Sequence, residues 1–363
     1  MKDLLKCSTL FAVTLAAALC LVRPAAAQVQ VTSADGNETL KLGLLGQVTA
    51  ETLDNATATH TAQDIYLRRI RLLAGLKVFD NINVFFDTDS PNLGKGAGDT
   101  TKNTTELFVQ DFFATYTASK EFQIDAGLML PPSSYNHTQS AATLMSVDYG
   151  TNTFLESTPL QARTGRDYGV QLRGYLGDDH LEYRAGVFQG NRDLVYNSFR
   201  YAGRLTYWIL GAQTGYFYRG TSLGKTQSLA IGGSYDTQKD YKAYNADLFW
   251  DQPIAGGDGV TLQIDYNHLN GDDFLASLPE QKNTLLELGY YLHAAKLQPY
   301  FQYTDRSFDV KTAANQDQTT YEIGLGFYPH GVNSDLKLAV GKIDRDTSKN
   351  RTQVRLQYQV YAF

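Results

Sequence analysis

At several places in this chain charged residues stand two positions apart, a spacing that displays charge along one surface. Arg69 and Arg71 stand two apart with Lys77 in the same phase, and Asp87 and Asp89 repeat the interval. Asp111, Asp125, Arg173, Arg184, Arg200 and Arg204 follow, then Asp247, Asp265, Glu287 and Glu322. Alternate residues of a β-strand point to the same face, so each set would stand on one wall. The basic members group early and in the middle of the chain, and most carboxylates lie elsewhere. Walls of opposite sign would set up a transverse field, which orients polar solutes and discriminates ions. Pairing of these charges into salt bridges that stiffen the wall is the alternative for any single residue.

Covalent catalysis has little to work with. The histidines are His60, His137, His180, His268, His293 and His330, and none sits in a G-x-S-x-G or H-E-x-x-H context. Both cysteines, Cys7 and Cys20, fall in a segment that reads as an export signal. Lys2 and Lys6 precede the apolar run from Leu10 to Val22, then come Arg23-Pro24 and Ala25-Ala26-Ala27. A lipoprotein signal centred on Cys20 is the competing reading, weakened by Leu19 where a small residue is needed. Cleavage before Gln28 would leave no thiol, disulfide or cysteine metal site, and neither metal nor cofactor is expected. Loss of three basic residues and one acidic residue would leave 29 against 37, a net charge of −8. That sign argues against nucleic acid as a partner.

The elements that must position these charges are strands. Period-two alternation runs through sixteen spans: 39–49, 64–79, 81–90, 106–118, 121–130, 166–176, 180–189, 199–209, 227–236, 242–251, 259–270, 283–293, 296–308, 319–328, 335–344 and 350–363. One face is apolar throughout, as in Ile70, Leu72, Leu76; Val84, Phe86; Phe112, Tyr116; Leu286, Leu288; and Leu336, Leu338. The opposite phase is polar and carries the charges named above. No apolar run after Val22 is long enough for a membrane helix. Such a pattern predicts an all-β fold, a closed antiparallel transmembrane β-barrel of about sixteen strands covering 28–363, with lipid outside and water inside. A soluble sandwich also alternates, but it does not require so many strands in one uninterrupted run.

Long and short connections alternate. The long ones (52–61, 91–105, 131–165, 190–198 and 272–282) would be extracellular, and the tight ones periplasmic; 211–226 breaks the rule by being long on the periplasmic side. The 131–165 connection opens with Pro131-Pro132 and carries a short helical stretch around Ala141–Val147. It is expected to fold into the lumen and set its narrowest point through His137, Asp148, Glu156 and Arg163. At the chain end, Tyr361 and Phe363 fall out of phase with Tyr358 and Val360, which predicts a bulge near Gln359–Val360.

The segments DIYLRRIRLLAGLKVFDNINVFFDTD, LFVQDFFATYTASKEFQIDAGLMLPPSSYN and GTSLGKTQSLAIGGSYDTQKDYKAYNADLFWDQPIAGGDG resemble the phosphate-selective porin O and P family. The resemblance implies a homotrimeric outer-membrane channel of a diderm bacterium, passing ions and small polar solutes. It also implies an arginine ladder, for which Arg69 and Arg71 are the candidates, above constriction lysines. No lysine occurs in 121–162, so the expectation is weak ion preference with a neutral-to-negative loop. An outer-membrane barrel enzyme, or a non-conducting structural or adhesion barrel with a filled lumen, are the rival readings.

Overall fold

The computed structural model describes residues 28–55, 57–96, 101–192 and 198–363. The export signal expected over 1–27 lies outside the described residues. The strands are β1 (Val29–Thr32), β2 (Thr39–Asp54), β3 (Thr61–Phe79), β4 (Ile82–Asp89), β5 (Phe108–Thr117), β6 (Gln123–Met129), β7 (Asp167–Leu176), β8 (Leu181–Phe188) and β9 (Arg200–Leu210). They continue as β10 (Ser228–Gln238), β11 (Tyr241–Pro253), β12 (Gly259–Asn270), β13 (Gln281–Tyr291), β14 (Leu297–Phe308), β15 (Gln318–Phe327), β16 (Pro329–Val332), β17 (Ser334–Arg345) and β18 (Ser348–Ala362). Strands β2 to β15, β17 and β18 each pair antiparallel with the next, and β18 returns to β2 to close a barrel of sixteen. Each expected span coincides with one of these strands.

Closure satisfies every edge, which a backbone in lipid requires. The seam runs from Gln353↔Leu53 to Ala362↔Leu44. Where β18 stops, β1 takes over, pairing Val29–Thr32 with Thr39–Leu42. Gly43 sits at that handover, where a Cβ would stand 2.1 Å from the Ala362 carbonyl oxygen; only glycine lets the two backbones approach so closely.

The apolar phase points outward: Leu72, Phe112, Val170, Leu288 and Val340 are exposed on the barrel's outer surface. The polar phase is buried inside, including Arg69, Arg71, Asp87, Asp111 and Arg173. On β3 the phase is reset by a bulge, because Gln47 pairs with Arg69 while Val48 pairs with Leu67. Arg68 is the extra residue, and two consecutive arginines thereby reach the interior. At the chain end no bulge forms; the β18–β2 register is continuous through Ala362. Tyr361 and Phe363 instead share the inner phase with Gln357 and Gln359, packing with Leu45, Leu73 and Phe85. They can do so because the interior near that rim is apolar. Among the described residues the one α-helix, α1 (Tyr135–Thr138), precedes the stretch expected to be helical. Ser134 caps it, accepting from the His137 N–H at 3.2 Å. Residues 141–147 pass as turns whose backbone bonds to wall side chains.

Candidate functional site: the barrel lumen

Among the described residues, two segments enter the lumen, one from each rim. The inner loop (130–166) comes from the rim opposite the chain ends and follows the inner wall. The Tyr135 N–H donates to Asp247 at 3.1 Å and the Asn136 N–H to Asp265 at 2.9 Å. Ser146 donates to Glu287 at 2.6 Å, Lys337 Nζ to the Leu144 carbonyl at 2.7 Å, and Gln359 to the Ala142 carbonyl at 2.9 Å. Asp247, Asp265 and Glu287 therefore face inward but lie under the loop as its anchors, which corrects their placement as open pore lining. The loop ends its traverse at Asp148, which accepts from Arg68 Nε at 2.5 Å and Arg69 Nη2 at 2.6 Å. Burial alone would raise the Asp148 carboxyl. The Arg68 and Arg69 guanidiniums outweigh that effect and hold it well below the usual carboxylate range.

The second segment is 211–227, the connection that was too long for its side. It rises from the rim that carries the chain ends and bonds to the inner loop. Tyr218 N–H donates to the Thr138 carbonyl (3.1 Å), Ser140 N–H to the Tyr218 carbonyl (2.8 Å), and Thr221 N–H to the Thr143 carbonyl (3.0 Å). Tyr216 donates its hydroxyl to the Leu130 carbonyl at 2.8 Å. Tyr218 stacks on Tyr135 at 4.7 Å, and Tyr135 on Phe249 at 4.2 Å. Nothing in alternation or charge marks these residues in the sequence; only the length of the connection sets it apart.

The charges are not segregated by wall. Arg71 pairs with Asp89 at 3.0 Å and Asp87 at 3.5 Å, Arg173 with Asp125 at 2.8 Å, and Arg184 with Glu182 at 2.7 Å. Arg200 pairs with Asp236 and Arg204 with Asp247, each at 2.6 Å, and Arg355 with Glu322. Arg166, which falls in the apolar phase of the expected strand 166–176 but stands just before β7, pairs with Asp111 at 3.0 Å. The expected transverse field is thus replaced by close ion pairs: those of Arg71, Arg173 and Arg200 join adjacent strands, Arg184–Glu182 lies along one strand, and Arg204–Asp247 and Arg355–Glu322 reach across an intervening strand. Three further expectations shift. Lys77 sits at the rim, paired with the turn residue Asp80 at 2.7 Å. Arg163 is exposed and lies over the Phe108 ring. His137 and Glu156 are buried against each other at 3.1 Å within the inner loop, not presented to the lumen.

Between the two inserted segments and the wall formed by β2 to β5 lies a cavity of about 490 Å³. Leu45, Leu73, Phe85, Phe113, Phe217 and Phe363 supply its apolar surface, and Arg71, Asp87, Arg166 and Arg219 its charges. Phe363 places it toward the rim of the chain ends. Among the described residues, no group of three His, Cys, Asp or Glu side chains is arranged to hold a metal ion.

Residues 41–242 match the sequence model of a family described as phosphate-selective porin O and P. No curated protein sequence matches significantly. Among solved structures, the outer-membrane channel DcaP of Acinetobacter baumannii superposes with TM-score 0.58 at 14% identity, over 91% of this chain and 99% of that one. An anion-selective porin from Comamonas acidovorans gives TM-score 0.56 at 9% identity, over 89% and 99%. OmpT with loop L8 deleted, an outer-membrane protein of Vibrio cholerae, gives TM-score 0.56 at 12% identity, over 90% and 99%. At these identities the likeness is one of fold.

Proposed function

The chain belongs to the phosphate-selective porin O and P family, and from that premise we propose that its lumen passes small ions and polar solutes with weak charge preference, without a high-affinity phosphate site. It is an outer-membrane porin, a water-filled channel for passive diffusion. The observation that carries the selectivity reading is the pairing of the arginines on the inner wall. Arg68, Arg69, Arg71 and Arg166 are each engaged by Asp148, Asp87, Asp89 or Asp111. Phosphate recognition needs several donors free to converge on one anion, and here the strongest donors are already committed to carboxylates.

The test is the reversal potential of purified protein in a planar bilayer under a salt gradient, with phosphate added. A small reversal potential and no block by micromolar phosphate are expected. Strong anion selectivity with such block would overturn the reading. Arg71→Ala should move the reversal potential toward cations, since Asp87 and Asp89 would lose their shared guanidinium. An unchanged potential would remove Arg71 from the conduction path.

We extend the proposal to a homotrimer. Tyr168, Val170, Tyr201, Leu205 and Tyr207 form an exposed apolar area on the outer faces of β7 and β9, a surface that suits a neighbouring barrel as well as lipid. Native mass in detergent should be three times the chain mass, and a monomer in mild detergent would count against it.

A further inference from the structure

We infer that the cavity beside Phe363 is a binding site for a small aromatic carboxylate. The inference rests on the channel reading, which gives such a solute its route to the cavity. Its volume of about 490 Å³ lies within the range of small-molecule sites, and like them it combines an apolar wall with a few polar groups.

The wall is aromatic and held in place. Phe85 meets Phe217 at 5.5 Å and 63° and Phe363 at 5.8 Å and 74°, while Phe113 lies 4.4 Å from Tyr216. Phe363 fits closely over β3 because Gly75 has no side chain; a Cβ there would stand 3.1 Å from the ring. Such edges and faces receive another ring in tilted or offset contact. A water-filled channel has no need of this surface for ions alone.

The charges differ in what they have left to offer. Arg71 and Asp87 face each other, Asp87 also accepts from the Asp111 N–H at 3.0 Å, and Arg166 is held by Asp111. Arg219 is different. Its guanidinium donates to the Thr226 hydroxyl at 2.9 Å and has no carboxylate within 4.0 Å among the described residues. Its backbone is fixed, with its N–H donating to Gln213 at 2.7 Å and its carbonyl accepting from Tyr135 at 2.9 Å. One spare guanidinium beside an aromatic wall selects a single negative charge on an apolar body. Phosphate would gain one cation and lose hydration against the rings. A neutral arene would leave the guanidinium unused.

Calorimetric titration of the full chain in detergent, with benzoate, acetate, inorganic phosphate and benzyl alcohol as probes, decides the matter. Benzoate should bind at least about tenfold more tightly than each of the others, as expected for one charge-assisted hydrogen bond added to ring contact. Arg219→Gln should weaken benzoate by about tenfold and leave benzyl alcohol unaffected. Phe217→Ser should weaken both. Benzoate binding no tighter than acetate, or binding indifferent to both substitutions, overturns the site. Single-channel recording separates the two readings. Conducting protein without benzoate preference sinks the site alone. Benzoate binding in protein that conducts no ions sinks the channel reading and leaves the site standing.

Discussion

Asp148→Asn should destabilise the barrel by about 3 kcal/mol and turn the channel toward anions. The substitution leaves Arg68 and Arg69 facing a neutral amide in a largely buried position, where removing one partner of an ion pair typically costs about 3–5 kcal/mol. It also frees the far end of the inner loop, which Asp148 ties to β3 at 2.5 and 2.6 Å. Two uncompensated guanidiniums facing the lumen should shift the reversal potential toward anions and increase current noise. Denaturant unfolding in detergent measures the first effect and bilayer recording the second. Unchanged stability together with unchanged selectivity would show that the tie has no role. The same tie fixes the response to acid. Because the Asp148 carboxyl is held below its usual range, its contribution is present at and above the ordinary carboxylate pKa and is lost only as pH falls through the depressed value. The Asp148 tie itself should therefore hold equally at pH 7 and pH 5, so the stability lost in Asp148→Asn should be the same at both.

Replacing residues 213–225 by a short polar turn should raise single-channel conductance several-fold. That segment carries Tyr216, Phe217, Tyr218 and Arg219 into the lumen and makes three backbone bonds to the inner loop. Its removal clears cross-section directly. It also deprives Arg184 of the Tyr216 carbonyl it donates to at 2.9 Å. The strands flanking the segment, β9 and β10, remain paired over Tyr201–Leu210, so the barrel itself should still assemble. Conductance equal to wild type would mean that ions do not pass the space this segment fills.

The strand pattern was readable because each barrel strand must satisfy lipid on one face and a polar interior on the other, so a register slip would reverse every side chain. Leu72 and Phe112 outward, Arg71 and Asp111 inward, follow from that constraint alone. The content of the lumen was less legible, for a physical reason. Period-two phase says which way Arg204 or Asp247 points, but not whether a neighbour or a loop meets it there. Arg68 escaped the phase rule through a bulge, and Arg166 because it precedes its strand. The aromatic lining at Phe363 contradicted the rule that inner means polar. The inserted segment 211–227 carries no periodicity, and its excess length was its sole sign.

The wiring of the inner loop has a consequence for the order of events in time. Its hydrogen bonds reach side chains 112, 129, 141 and 193 residues later in the chain, at Asp247, Asp265, Glu287 and Lys337. Those partners stand together only when the second half of the wall has formed. The seam between Leu44 and Ala362 joins nearly the two extremes of the barrel, a closure that costs about 5 kcal/mol of chain entropy before any pairing returns it. The loop can settle no earlier than the strands that receive it. The lumen therefore takes its filled form no earlier than the wall's second half, so the loop's ordering follows the chain's last strands rather than its own place in the sequence.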